Sequence, residues 1–283
     1  MPSVSPQVKK FSLGDFDCYI VYDGFRSIGS MTSGSAKKFI FGDAPEEELH
    51  RELVNYGGLD SSTIIQFNFL LINNCGNCTL VDTGCGERAE NLKHQLEPAG
   101  LLNKSLNKAG IRADDIDRVI ISHSHWDHFG GAVTKGEATY PNAEYIMNKI
   151  EADYIRDKND TWAQNYLNIL EDKLVYLEGD QKLDQGILVK SAPGHTPGMT
   201  IVEVSSGYET LLYTSDIIIH PAHVTHTNWI PSFEDDRIAA TATRSKLVED
   251  AYRRGLLLFV PHIYGVLGRI SYSQSKFMWI DES

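Results

Sequence analysis

The sequence is short of what several classes of protein require. Its four cysteines, Cys18, Cys75, Cys78 and Cys85, are too few to staple a chain of 283 residues. A disulfide scaffold is therefore excluded, and a reducing compartment is expected. No apolar run reaches membrane-spanning length. The longest, Ile64 to Ile72, carries Gln66 and Asn68, and Met1 to Lys10 lacks the apolar core of a secretory signal. A cytoplasmic protein is the resulting expectation. Positive charge is scarce too: 26 lysines and arginines face 38 aspartates and glutamates, for a formal net charge of -12. That balance opposes sequence-independent attraction to nucleic acid or to an anionic membrane, so neither is expected as a partner. Low-complexity tracts, fixed-period repeats and Pro/Gly/Ser linkers are also missing. One domain over residues 1–283 is the simplest organisation.

What remains is an ordinary globular composition, 42% hydrophobic and 23% charged, able to bury a core. Cys75 and Cys78 form a C-x-x-C, but they sit in the polar turn Asn73 to Asn77 between two apolar runs. With no second such pair to complete a zinc knuckle, a hairpin tip between Phe67 to Ile72 and Thr79 to Val81 is the better reading. Upstream, Phe16 to Tyr22 reads as a strand and Arg26 to Lys38 as a loop. Asp43 is placed to cap a helix that carries Glu46, Glu47 and Glu48 in its first turn and stops at Gly57-Gly58. Downstream, helical patterns at about Glu87 to Gln95, Ser105 to Gly110, Lys149 to Arg156, Trp162 to Lys173 and Phe233 to Arg254 alternate with strands. Those strands lie near Arg118 to Ser122, Glu144 to Met147, Ile187 to Ser191, Thr200 to Val204, Glu209 to Thr214 and Leu256 to Val260. Mixed sheets covered by helices follow from this alternation, and a recurring strand-then-histidine theme hints at two similar halves.

One segment carries the chemistry. Ile120 to Gly131 runs from a buried strand into His123, His125, Asp127 and His128, then into Gly130-Gly131. Residues two apart on extended chain project to one side, so His123 and His125 can share one ion. The turn that follows can aim Asp127 and His128 at a second. Four ligand-type side chains this close would be unsatisfied in a core unless metal held them. Three further strands end in similar groups: His195 in Ala192 to Gly198, Asp216 after Leu211 to Ser215, and His262 after Leu256 to Pro261. Each alone is weak evidence. Together they supply the nitrogen and oxygen donors that a two-metal hydrolytic site draws from separate strands.

The H-x-H-x-D-H segment after a strand, with a later His, Asp and His in this order, resembles the metallo-β-lactamase superfamily over about residues 80 to 265, with Val81-Asp82-Thr83-Gly84 as its first motif. The resemblance implies an α/β, four-layer αβ/βα sandwich of two mixed sheets flanked by helices, with the site at one edge. It implies two divalent transition-metal ions, zinc ahead of manganese, iron or cobalt. His123, His125 and His195 would hold one, Asp127, His128 and His262 the other, and Asp216 would bridge them, with Asp82 supporting the ligand loop. A water shared between the ions would serve as the nucleophile, oriented by Asp127 as proton carrier.

Phe11 to Phe16, Tyr22-Asp23-Gly24 and Phe41 to Glu47 resemble the opening of the methyl parathion hydrolase-like branch, which includes acyl-homoserine lactonases, so that residues 1–60 form a branch-specific extension. His262 to Gly268 is similar to the branch's closing segment, with departures at Tyr264 and Val266. Ile219 stands where the small lactonases carry a tyrosine. Trp126, Phe129, Ile217 to Ile219 and Trp229 are expected as apolar walls, which favour a neutral ester, lactone or organophosphate over a charged phosphate. Tyr264 either donates a hydrogen bond to a developing oxyanion or packs beneath the site. His220, His223 and His226 either touch substrate, bind a stray metal ion or belong to a partly exposed loop. A small molecule is the expected partner, and homodimerisation stays open. The alternative, an iron-dependent oxidoreductase of the same fold like the persulfide dioxygenases, is disfavoured by the second ligand trio, which a mononuclear site does not need.

Overall fold

The structure, a computed structural model, describes residues 6–28, 34–56, 64–91, 99–158, 161–184 and 186–282. The first half of the chain contributes β1 (Val8–Leu13), β2 (Phe16–Ser27), β3 (Ile64–Asn74), β4 (Asn77–Val81), β5 (Arg118–Ile121), the small hairpin β6 (Val133–Thr134) and β7 (Glu137–Ala138), β8 (Glu144–Asn148) and β9 (Leu174–Leu177). The second half contributes β10 (Gln181–Asp184), β11 (Ile187–Ser191), β12 (Thr200–Ser206), β13 (Glu209–Tyr213), β14 (Leu257–Phe259), β15 (Leu267–Ser273) and β16 (Lys276–Asp281). Two seven-stranded sheets result, in the orders β1-β2-β3-β4-β5-β8-β9 and β10-β11-β12-β13-β14-β15-β16. In each sheet four antiparallel strands lead into a parallel neighbour, β4 beside β5 and β13 beside β14.

The two-residue period of a strand builds the layers. Along β3, Leu70 and Ile72 point into the space between the sheets, while Phe67, Phe69 and Leu71 point outward under helices. β5 divides in the same way, with Ile120 inward and Val119 and Ile121 outward. From the other sheet, Val202, Val204, Leu211, Tyr213 and Phe259 meet the inward set. Leu247, Val248 and Ala251 of the helix Arg237–Arg254 cover Ile201, Leu212 and Leu258 on its outer face. Helix, sheet, sheet, helix is the expected αβ/βα sandwich, and each leucine or isoleucine fully removed from water contributes about 1.5–3 kcal/mol.

Several local readings shift. The segment read as a loop through Lys38 contains the helix Gly34–Phe41, because Ile40 and Phe41 bury completely in the outer core. Asp43 caps nothing: the next helix, Glu46–Asn55, starts after Pro45 with no side-chain cap, and Asp43 instead lies 3.7 Å from Arg237. The long helix starts at Arg237 rather than Phe233, since Asp236 caps it by accepting from the amides of Ile238 and Ala239. Trp162 to Lys173 divides into Thr161–Ile169 and a 3-10 turn, Glu171–Lys173. The glycine stop at 57–58 and the end of the helix read at 87–95 lie outside the described residues, apart from Arg88–Asn91. The hairpin reading of Cys75-Gly76 holds, with β3 and β4 paired around it. Among the described residues, no helix is long and apolar enough to cross a membrane.

Candidate metal centre

Parallel pairing sets the site. β4 and β5 run side by side and end at Val81 and Ile121; β13 and β14 do the same and end at Tyr213 and Phe259. Asp82, Ser122-His123, Ser215-Asp216 and Pro261-His262 therefore leave the two sheets at one edge. Asp82 and Ser215 hold φ of +61° and +47°, left-handed values rare outside glycine. Such strain persists where surrounding contacts over-determine it, often at functional sites.

The seven ligand-type side chains converge. His123 Nε2 lies 3.2 Å from His125 Nδ1, which lies 2.9 Å from His195 Nε2. On the other side, His128 Nε2 is 3.2 Å from His262 Nε2 and 3.8 Å from Asp127 Oδ2. Asp216 stands between them. Its Oδ1 is 3.0 Å from both His128 Nε2 and His262 Nε2, and its Oδ2 is 3.3 Å from His195 Nε2 and 4.0 Å from His123 Nε2. Two donor trios, His123, His125 and His195 on one side and Asp127, His128 and His262 on the other, thus flank one carboxylate.

The donor set fits divalent metal. Tetrahedral zinc with Zn–N of about 2.0–2.1 Å needs ligand nitrogens about 3.3 Å apart, close to the spacing found here. Outer contacts already turn the lone pairs inward. His128 Nδ1 donates to Asp82 Oδ2 at 2.8 Å, His262 Nδ1 to the Gln66 carbonyl at 2.8 Å, and His195 Nδ1 to Glu234 Oε2 at 3.2 Å. Electrostatics divide the imidazoles: burial, and then their neighbouring imidazoles, hold His123 and His125 well below the usual imidazole range, whereas in His128, His195 and His262 the opposing burial is outweighed, chiefly by the Asp216 carboxylate, and the imidazoles are raised. Burial pushes Asp216 up, yet the imidazoles of His262, His128, His195 and His123 outweigh it and keep the carboxyl ionised, well below the carboxylate range.

Two buried carboxylates lock the ligand loops. Asp82 accepts from the Ser122 amide, the Ser122 hydroxyl, His128 and the Tyr213 hydroxyl, all within 2.8 Å. Glu151 accepts from the amide and hydroxyl of Ser124, the hydroxyl of Thr196 and the amide of Gly198, which ties the His123 loop to the His195 loop. Two glycines are needed for close approach. A Cβ at Gly131 would sit 2.1 Å from the Thr83 carbonyl, and one at Gly198 would sit 2.1 Å from the Glu151 amide.

A cleft of about 320 Å³ opens onto His125, Asp127, His195, Asp216 and His262. Its walls are Trp126, Ile219, Phe39, Ile65, Phe67 and Phe233, with Arg26 among them, stacked 5.3 Å from the Phe39 ring centre. A larger cavity of about 490 Å³ adjoins it across Ile65, Ile219 and His262, and Tyr264 lines that cavity. Several expected walls belong elsewhere. Phe129 is buried against Trp162 and Tyr166, Trp229 packs on Phe41 and His226, and Ile217 and Ile218 lie in the core beside the long helix. His220 and His223 are buried around Phe41, not loop-exposed, and His226 bonds Glu52 at 3.1 Å.

Sequence reasoning missed Glu151, Glu234 and Arg244. Arg244 carried a signal: with Ala240, Leu247 and Ala251 it falls on the buried face of its helix, where a charge needs a partner.

Residues 64–259 match the profile of the metallo-beta-lactamase superfamily. Among curated proteins, the chain is 25% identical over 185 residues to a probable metallo-hydrolase of Mycobacterium bovis, covering 53% of this chain and 56% of that one. It is 29% identical over 133 residues to an N-acyl homoserine lactonase of Bacillus thuringiensis, covering 42% of this chain and 50% of that one. The chain thus spans about half the length of the curated relatives it matches. Among solved structures, it is similar to AidC, a dizinc quorum-quenching lactonase in complex with a product, at a TM-score of 0.85 and 29% identity, over 99% of both chains.

Proposed function

The chain belongs to the metallo-beta-lactamase superfamily, and from that premise we propose that it is a dinuclear metal-dependent hydrolase of neutral lactones, esters or organophosphates. The observation that carries this reading is Asp216, which faces one donor trio with each of its oxygens. Two divalent ions held there, with zinc as the first candidate, would supply a Lewis acid for the substrate's carbonyl or phosphoryl oxygen and an acidified water as nucleophile.

The protein's own groups do the rest. His123, His125 and His195 would hold one ion and Asp127, His128 and His262 the other, a division supported by the convergence of their donor atoms. Trp126, Phe67, Phe233 and Ile219 line the cleft with apolar surface, which suits a neutral substrate and excludes water from the reacting carbonyl. Asp127, its side chain 13% exposed, opens to the same cleft and is assigned the proton transfer to the leaving group. Tyr264 faces the adjoining cavity and is assigned as a hydrogen-bond donor to substrate. Tyr264→Phe is then expected to lower kcat/KM by about tenfold with the fold intact, near the 1.4 kcal/mol of one hydrogen bond. An unchanged kcat/KM would make it a wall residue only.

The test of the reading is metal content together with a substrate series. Protein purified without chelator should hold close to two ions per chain by elemental analysis. Its kcat/KM should favour a γ-lactone, an aryl ester or a phosphotriester over a phosphomonoester. One ion per chain with no gain on adding zinc or manganese would overturn the dinuclear centre. A phosphomonoester preferred by more than about tenfold, 1.4 kcal/mol of transition-state stabilisation, would overturn the substrate class and turn attention to Arg26.

A further inference from the structure

Glu234 and Arg244 form a buried ion pair, each side chain 1% exposed, with Arg244 Nη2 donating to Glu234 Oε1 at 3.0 Å. Such a pair contributes little stability by itself, because desolvating both charges offsets most of their attraction. Its remaining contacts are more telling. The second carboxylate oxygen, Oε2, accepts from His195 Nδ1 at 3.2 Å. The guanidinium donates from Nε to the carbonyl of Ile217, the residue after Asp216, and from Nη1 to the carbonyls of Thr227 and Trp229 at 3.1 and 3.2 Å. Backbone bonds reinforce the link, since the amides of Asp235 and Asp236 donate to the carbonyls of His195 and Gly194 at 3.2 and 2.9 Å. Phe233, next in the chain, sets its ring edge-on to His195 with centroids 5.5 Å apart and lines the cleft.

We propose that Glu234, held by Arg244, is a positioning residue for the ion bound by His123, His125 and His195. The proposal rests on the dinuclear reading above. A carboxylate is needed because both of its oxygens accept: one fixes the Nδ1–H tautomer of His195, so that Nε2 offers its lone pair inward, and the other satisfies Arg244. An amide has one acceptor and one donor, so in Glu234→Gln either His195 or Arg244 must face an N–H. The second trio, Asp127, His128 and His262, makes no contact with Glu234 among the bonds described. It serves as an internal control.

Metal-free wild type and Glu234→Gln are titrated with cobalt(II), following chelator competition and the visible absorption of the bound ion. One of the two affinities is expected to fall about 10- to 100-fold, the range for loss of a supporting partner to a ligand histidine. The other should stay within about twofold of wild type, and Glu234→Asp should recover part of the loss. Unchanged affinities with an unchanged spectrum, or an equal fall at both sites, would overturn the proposal and leave the pair a structural one. If Glu234→Gln does not fold, Glu234→Asp carries the same decision, selective loss supporting the proposal and wild-type behaviour overturning it. A wild type that binds only one ion refutes the dinuclear reading instead, before any variant is measured.

Discussion

Asp216→Asn should reduce kcat/KM by about a thousandfold or more, about 4 kcal/mol of transition-state stabilisation, and should lower the metal content below two ions per chain. The size follows from geometry. Asp216 presents one carboxylate oxygen to each trio, with Oδ1 3.0 Å from His128 and His262 and Oδ2 3.3 Å from His195. Asparagine preserves the shape but keeps a single acceptor, so its amide nitrogen must be turned toward one of the trios, where every neighbour presents a lone pair. The negative charge that balances two cations in a buried site goes with it, and nothing nearby replaces it at that position. The fold should survive, because the strands that end at the site are held by ladders and by Asp82 and Glu151 rather than by Asp216. Elemental analysis, kcat/KM and a thermal unfolding curve on the same preparation check all three statements. Near wild-type activity with two ions bound would remove Asp216 from the bridge.

The candidate ligands were legible in the sequence because several stand just beyond the strand that carries them. His123 follows β5, Asp216 follows β13 and His262 follows β14 by two or three residues, so the chain's local pattern gives both the residue and its place at the sheet edge. Direction within a turn is another matter. Phe129 adjoins His128 but points into the outer core toward Trp162, because once the strand ends, successive residues no longer alternate between two faces. Trp229 is close to Asp216 in sequence too, yet it stacks on His226 with ring centroids 3.8 Å apart. Trp126 and Ile219 do line the cleft as expected, but its other walls come from further away, Arg26 and Phe39 from the opening segment, Ile65 and Phe67 from β3, and Phe233 from the residues before the long helix. Nothing local distinguishes these from core residues. They become walls only when the two sheets pack, a long-range event that periodicity does not record.

Asp127→Asn tests the remaining step, the transfer of a proton to the leaving group. Asp127 is more open to the cleft than Asp216 or His128, its side chain 13% exposed where Asp216 is at 7% and His128 at 0%. It also lies at the outer edge of its trio, 3.8 Å from His128 Nε2, whereas His128 and His262 are 3.2 Å apart. A group so placed can reach substrate as well as an ion, and general acid–base help of this kind is worth about 10²–10⁴-fold. Asparagine keeps the size and one oxygen donor but cannot take up and release a proton, so kcat is expected to fall by about 10²–10³-fold. The loss should depend on the leaving group. An ester of a nitrophenol departs as a stable anion and needs little protonation, whereas an alkyl ester or a lactone expels an alkoxide and needs the proton. The variant should therefore lose at least about tenfold more activity, 1.4 kcal/mol, on the alkyl ester or lactone than on the nitrophenyl ester. Equal losses on both, with one ion missing, would restrict Asp127 to holding metal, and undiminished activity on both would take it out of the site altogether.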